Sequence, residues 1–488
     1  MSVSKSFLLT ALLKENFFPF QKKKKDTLPP VFNSKGLTKE VSQHIRDIVL
    51  SKKRMTSGFD SIQYKSTRFN NVPRLLSIPH PKPYVDLCFE MFEHWAKIKH
   101  ICSNPNSLIS PKKHSDGRII IMDYETSSEK RNRYYEAAFG KKFLAHADIS
   151  NCFPSLYSHA IPWALVGFDE AKSKRGKNEW FNRIDMYTRA CNRNETSGVP
   201  VGPATSNIAC EIILRQVDEK LRKKFNYVRY IDDYTAYCKT HKEAEDFIRE
   251  LSMSLMQYRL QLNIKKTEVK KSPQAINEEW VGRMREIIPN SKVISASKVS
   301  DILDAAVRLL QDNPDGSILK YAATSILKKL DDSSAKEFSN YIIRLCFHYP
   351  VLISVLKSPF IRLYTDKKCN YKKQLDFLLK DSISYGRSDT VCWILYYLKL
   401  FHDEVSDKHA LKIIEWGDSM ALTLLTEFKA HQSKVIDFTK KLNKSYLYEL
   451  DNYWMLLYQL YLKRKIKNVY DDNTFSILRR YNVSFVKI

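Results

Sequence analysis

Three carboxylates occupy positions where an apolar context makes charge costly. Asp148 ends the strand-like run KFLAHADI, and the adjacent pair Asp232 and Asp233 interrupts FNYVRYIDDYTAYC. Carboxylates gathered from separate strands are hard oxygen ligands, the kind that hold divalent magnesium. Two such ions about 3.5–4 Å apart can activate a 3′ oxygen and hold a triphosphate during phosphoryl transfer. Asp148 and Asp232 suit that chemistry, because bound metal would neutralise acids set among Val, Tyr and Ala. The competing reading is plain: Val228, Tyr230, Tyr234 and Ala236 alternate as in a hairpin, and Asp232–Asp233 is then only its tight turn.

The elements around these acids must bring them together. KFLAHADI, NYVRYIDDYTAYC, RIIIMDY and LQLNIKKTEVKKS read as strands, whereas HIRDIVL and YVDLCFEMFEHWAKI have helical spacing, with Pro83 near a helix start. Between the acids, TSGVPVGPATSNIACEIILRQVDEKL sets Gly198, Pro200, Gly202 and Pro203 in a compact loop before a helix. Small residues there let backbone approach a nucleotide or base, although a loop followed by a helix is also common on its own. From about residue 295 onward the pattern is helical, as in SKVSDILDAAVRLLQ, SDTVCWILYYLKLF, KHALKIIEWGDSMALTLLTEFKAH and YLYELDNYWMLLYQLYLKRK. Stacked helical pairs and an irregular bundle both fit it. The fold class expected is α+β, a mixed first part followed by an all-α second part.

Composition narrows the partner. The 488 residues include 80 Lys and Arg against 54 Asp and Glu, a formal charge of +26, together with 27 Tyr and 25 Phe. Cations for phosphates and rings for bases point to nucleic acid, against the alternative of a merely basic protein. Nine scattered cysteines without a CxxC spacing argue against a zinc site or disulfide framework and for reduced thiols in a cytoplasmic protein. No apolar run approaches the ~20 residues that cross a bilayer, so no membrane partner is expected. The opening MSVSKSFLLTALLKENFFPFQKKKK lacks a signal-peptide pattern and reads as an arm or short amphipathic helix, with Lys22–Lys25 as a solvated tether or phosphate contact.

Taken in order, ADISNCF, GVPVGPATSN, YIDD and LNIKKT resemble the successive motifs of a reverse transcriptase palm. The resemblance implies right-hand polymerase fingers and palm over residues 41–290, after a basic arm at 1–40 and before a helical domain at 291–488, thumb-like or built of helical repeats. It implies Asp148, Asp232 and Asp233 as catalytic and metal-binding residues with Ile149 beside them, and Mg2+, or Mn2+ in its place, as the cofactor. Phe153 falls where an aromatic ring excludes a 2′-hydroxyl, which implies dNTPs as substrates and a DNA product. Val201, where many relatives carry Gln, and Gly202 would line the nucleotide. Lys266 would lie near the triphosphate, with Arg74, Lys112, Lys113 and Arg118 in the fingers. No RNase H pattern is evident.

RLLSIPHPKPYVDLC and SLYSHAIPWALVGFDEAK look like the abortive-infection and defence-associated reverse transcriptases of bacteria, and most like the second polymerase subunit of the type 3 systems. That resemblance implies antiphage defence, a non-coding RNA, a sister reverse transcriptase, homo- or hetero-oligomers, and priming in some members without a conventional primer. Two alternatives stay open on the sequence: an RNA polymerase with the same palm, and a non-catalytic nucleic-acid-binding subunit of a defence complex.

Overall fold

The computed structural model describes residues 3–487 apart from 21, 23, 25, 124, 315, 316, 366–369 and 471. Two β elements organise the first part. Strands β1 (Ser61–Thr67) and β2 (Pro73–Pro79) form an antiparallel hairpin, and a four-stranded antiparallel sheet runs in the order β4 (Tyr227–Tyr230), β5 (Asp233–Cys238), β3 (Phe143–Asp148), β6 (Glu268–Lys271). Alternation along the central strands gives the sheet two unlike faces. Ala145, Ala147, Tyr234 and Ala236 are fully buried, beneath helices at Ala204–Leu221 and His241–Met256. Tyr227, Tyr234 and Phe247 make the aromatic centre of that side, with ring centroids 5.5–5.8 Å apart. The opposite face carries Asp148 and Asp233, directly paired in register, followed by His146 and Thr235.

Of the two readings of the opening segment, the short helix is the one the structure contains. Ser4 caps helix α1 (Lys5–Lys14), and its leucines Leu8, Leu9, Leu12 and Leu13 are buried. Its end leads Phe17 onto Tyr84 of helix α2 (Pro81–Glu93) at 4.7 Å and onto Trp454 and Phe485 at 6.3 and 5.9 Å. Burying this apolar surface outweighs whatever freedom a solvated arm would keep. Of the expected basic tether, Lys22 and Lys24 are exposed, while Lys23 and Lys25 lie outside the described residues.

The described residues of RIIIMDY, 118–123, form no strand. Ile119 and Ile120 are buried, and one side chain meets much of their main chain: the Asn16 amide accepts from Ile119 N at 2.8 Å and donates to Ile120 O at 3.1 Å, while Ile119 O accepts from Lys112 N at 3.0 Å. In LQLNIKKTEVKKS a short 3-10 turn at Ile264–Lys266 precedes the four-residue strand β6.

After residue 295 the described elements are helical, starting with α3 (Ala296–Asp312). Two long helical patterns are interrupted. Gly417, at φ 74°, ends Asp407–Trp416 before Ser419–Leu425, and a break at Tyr453 separates Leu447–Asn452 from Trp454–Leu462. These helices return onto the β1–β2 hairpin. Helix α4 (Ser388–Leu400) brings Asp389 to Thr67, accepting from its N–H at 2.6 Å and its hydroxyl at 2.8 Å. Buried Asp451 accepts from Arg54 at 2.9 Å, from Asp60 N and from the Tyr470 hydroxyl, both at 3.0 Å. The eight described cysteines are free thiols, and Cys369 lies outside the described residues. Among the described residues no helix is long and apolar enough to cross a membrane.

Candidate active site

The three acids converge at one end of the sheet. Strand β3 ends at Asp148 and strand β5 begins at Asp233, its register partner, while Asp232 occupies the β4–β5 turn. That turn is strained: Ile231 has φ 59°, a left-handed conformation a β-branched residue rarely adopts. The chain holds it there by main-chain and side-chain bonds. Ile149 N donates to Asp232 O at 3.1 Å, and fully buried Arg229 donates to Ile231 O at 2.8 Å.

The electrostatics of the cluster record the crowding. Burial is the main reason that Asp233 is pushed up to about 7, reinforced by its hydrogen bond to Asp148 and by repulsion from Asp232 and Asp148. Asp232 is also raised, chiefly by burial and then by Asp148, with Arg74 and Lys266 opposing the shift. Asp148 is buried; its carboxylate accepts from Asn263 Nδ2 and from Lys266 Nζ, each at 3.2 Å, and its carbonyl accepts from Asn263 N at 2.7 Å. Half-buried carboxylates that resist ionisation beside one another form a donor set suited to a hard divalent cation, whose charge would relieve both repulsion and desolvation.

The small-residue loop closes one side. Phe153 is buried on the short helix Cys152–Ser155, and Val199 N donates to its carbonyl at 3.1 Å. Val201 O accepts from Ser77 N of β2 at 2.8 Å, so the loop is tied to the hairpin. Gly202, at φ 141°, fits because a Cβ there would come within 2.8 Å of Pro19 Cβ. Lys266 thus meets Asp148 directly, and the loop at Val201 and Gly202 is joined to the segment after Asp148 through the bond between Val199 and Phe153. Arg74, in the exposed first part of β2, is within electrostatic reach of Asp232.

One residue expected in the fingers is not available as a free cation. Arg118 is fully buried, and its guanidinium is bonded to Asp116 at 2.8 Å and to the carbonyls of Phe20 and Lys22 at 2.6 and 2.8 Å. It fastens the N-terminal segment, leaving a nucleotide phosphate no approach to its charge. Lys112 and Lys113 are both exposed in the 110–120 loop, with Lys113 over the Phe7 ring at 5.6 Å.

Sequence reasoning missed the support beneath the turn. Arg229 donates to both Glu211 oxygens at 2.8 and 2.9 Å and to Asp218 at 2.8 and 3.0 Å. Asp218 also accepts from Asn104 at 2.6 Å and Tyr227 at 2.9 Å. A signal was available: an Arg inside the apolar strand YVRY, and two acids seven positions apart on one helix face. Another acidic group, Glu90, Glu93 and His94, has metal-ligand spacing, but Arg183 and Arg46 already occupy its carboxylates.

A model of the reverse transcriptase family (RNA-dependent DNA polymerase) matches residues 95–282. The match places a reverse transcriptase domain over residues 95–282 of the chain. A search of curated proteins finds no match. Among solved structures, the chain is similar to apo telomerase from Candida tropicalis truncated from its C-terminal domain, with TM-score 0.31, 14% identity, and 48% of this chain and 54% of that one covered. It thus spans about half the length of that structure. Apo telomerase from Candida tropicalis matches with TM-score 0.33 and 10% identity over 82% of this chain and 71% of that one. Telomerase from Candida albicans in complex with a fragment of telomeric RNA matches with TM-score 0.30 and 12% identity, over 83% and 70%.

Proposed function

We propose that this chain polymerises dNTPs into DNA, templated by RNA or in a non-canonical way, by two-metal nucleotidyl transfer at Asp148, Asp232 and Asp233. The observation that carries this reading is the convergence of the three carboxylates at one sheet end within the reverse transcriptase domain. Asp148 and Asp232 would hold magnesium with Ile149 beside them, and Asp233 would assist. Bound there, the metals would activate the primer's 3′ oxygen and neutralise the triphosphate. Lys266 balances charge on Asp148 and can turn toward a phosphate, since its side chain is 63% exposed. Phe153 and the loop at Val201 and Gly202 would bound the sugar, and Arg74 would supply a cation on the hairpin side. Residues 41–290 then serve as fingers and palm, and 291–488 as a helical domain that braces the fingers.

The finer assignment is to bacterial antiphage defence, with a non-coding RNA, a sister reverse transcriptase or further copies as partners. It is supported by RLLSIPHPKPYVDLC, SLYSHAIPWALVGFDEAK and the long helical extension. The decisive experiment is metal-dependent incorporation of labelled dNTPs. Asp148→Asn and Asp232→Asn keep side-chain shape while removing charge, and each should cut incorporation more than about 100-fold at unchanged folding. Incorporation retained by the folded double variant removes the mechanism. Plaque counts with and without the intact acids test the defence assignment separately.

A further inference from the structure

A surface groove of about 620 Å3 lies in the helical part, between helices at Asp332–Leu345 and Lys372–Ser384. Two rings stand in it: Phe347 and Phe377 are 40% and 58% exposed, with centroids 5.4 Å apart and planes inclined at 47°. Arg344, Lys373 and His348 share the lining, and among the described residues no carboxylate does. Exposed rings beside unopposed cations offer stacking surfaces and phosphate contacts together.

The groove adjoins the hairpin that leads to the acids. His348 O accepts from Asn71 Nδ2 at 3.3 Å, and Tyr349 stacks on Phe69 at 5.7 Å with planes 7° apart. Asn71 and Phe69 belong to the β1–β2 connection. Arg74, which influences Asp232, follows Asn71 by three residues, about 10 Å of extended chain. Val72 and Leu75, 55% and 52% exposed, continue the apolar surface between them.

We infer that this groove seats a single strand of nucleic acid, with bases stacked on Phe347 and Phe377 and phosphates against Arg344 and Lys373. Charge complementarity selects this occupant: a chain carrying +26 presents here two cations and no acid. The proposal rests on the polymerase reading for the origin of the strand, RNA template or DNA product, but its binding chemistry is independent of turnover.

The test uses the full chain carrying Asp148→Asn, without metal, and fluorescence anisotropy of 12-nucleotide oligo-U and oligo-dT. Phe347→Ala/Phe377→Ala should weaken binding about 10- to 100-fold, whereas Phe347→Tyr/Phe377→Tyr should preserve it. Arg344→Gln/Lys373→Gln should lower the slope of log affinity against log salt by about 1.4. Because both rings are exposed, unfolding midpoints should stay with the parent. Stronger binding of oligo-U marks template as the source and stronger binding of oligo-dT marks product. Unchanged affinity in the alanine pair overturns the proposal, as does a change of oligomeric state at unchanged affinity, which makes the groove a protein interface. A chain that binds through the rings yet incorporates no dNTP before the Asp148 change retains the groove and loses the polymerase reading.

Discussion

Replacing Arg229 with Met tests whether the acidic turn is held by charge balance, by a specific tether, or by both. Met matches much of the side-chain length but removes every donor. Asp218 would keep Asn104 and Tyr227 as partners, whereas Glu211 would lose the two bonds that Arg229 gives it inside the core. Breaking a buried pair from one side costs about 3–5 kcal/mol, because a charge stays behind without compensation. With about 2–4 °C per kcal/mol for a cooperative unit of 150–250 residues, the thermal midpoint should fall by about 6–20 °C. Loss of the bond to Ile231 O should also let the strained turn relax and displace Asp232, lowering incorporation beyond the unfolded fraction. A second variant separates the two effects. Arg229→Met/Glu211→Leu removes the stranded charge and should regain most of the stability but not the incorporation. Differential scanning fluorimetry and single-nucleotide incorporation at a temperature where all three proteins are folded provide the readouts. The reasoning fails if Arg229→Met melts within about 2 °C of the parent. It fails equally if the double variant recovers both properties, since Arg229 would then act through charge alone.

Phe153→Ala should admit ribonucleotides about 10-fold more readily while destabilising the protein by about 3–5 kcal/mol, since the ring is buried; unchanged dNTP preference by competitive incorporation places the discrimination elsewhere. Gly202→Ala forces a Cβ to within 2.8 Å of Pro19 Cβ and should cost about 1–3 kcal/mol, with an unaltered denaturation midpoint arguing against the close packing of loop and N-terminal segment. Burial raises Asp451 to about 6 despite Arg54, so the native state favours its protonated form. Its stabilising contribution is present below the ordinary carboxylate range and is lost as pH rises through about 6, a change of about 3 kcal/mol. Asp451→Asn should flatten that slope between about pH 4 and pH 6.5, and equal slopes in urea titrations refute the assignment.

The acids were legible because their pattern is local. Alternation around Asp232 and Asp233 predicts a hairpin, and the strand ending at Asp148 needs only to pair with it, which the register fulfils. The helical spacing after residue 295 carries over for the same reason, except where Gly417 and Tyr453 interrupt patterns that looked continuous. The misreadings concern partners distant in sequence. Asn16 meets much of the main chain of Ile119 and Ile120 more than a hundred residues away, and no feature of RIIIMDY announces that a side chain will replace a neighbouring strand. Arg118 resembles a free cation until the carbonyls of Phe20 and Lys22 surround it. The apolar opening segment gives no local sign of whether it meets solvent or Trp454.

The contact of Phe17 with Trp454 and Phe485 sets an order of events during synthesis. Phe32 also bridges to Val486, so residues 17 and 32 find these partners only in a segment made much later. Roughly 440 residues separate Phe17 from Trp454, and at about 5–20 residues per second translation takes on the order of 20–90 s to cover them. Throughout that interval Phe17 and Phe18 remain without their C-terminal aromatic partners and are candidates for chaperone binding. The sheet bearing Asp148 and Asp232 is complete by residue 271, well before Trp454 is made. A nascent chain can therefore possess its acids long before the segment that packs under Gly202 is locked in place, and competence for synthesis is expected only once Trp454 and Phe485 have been made.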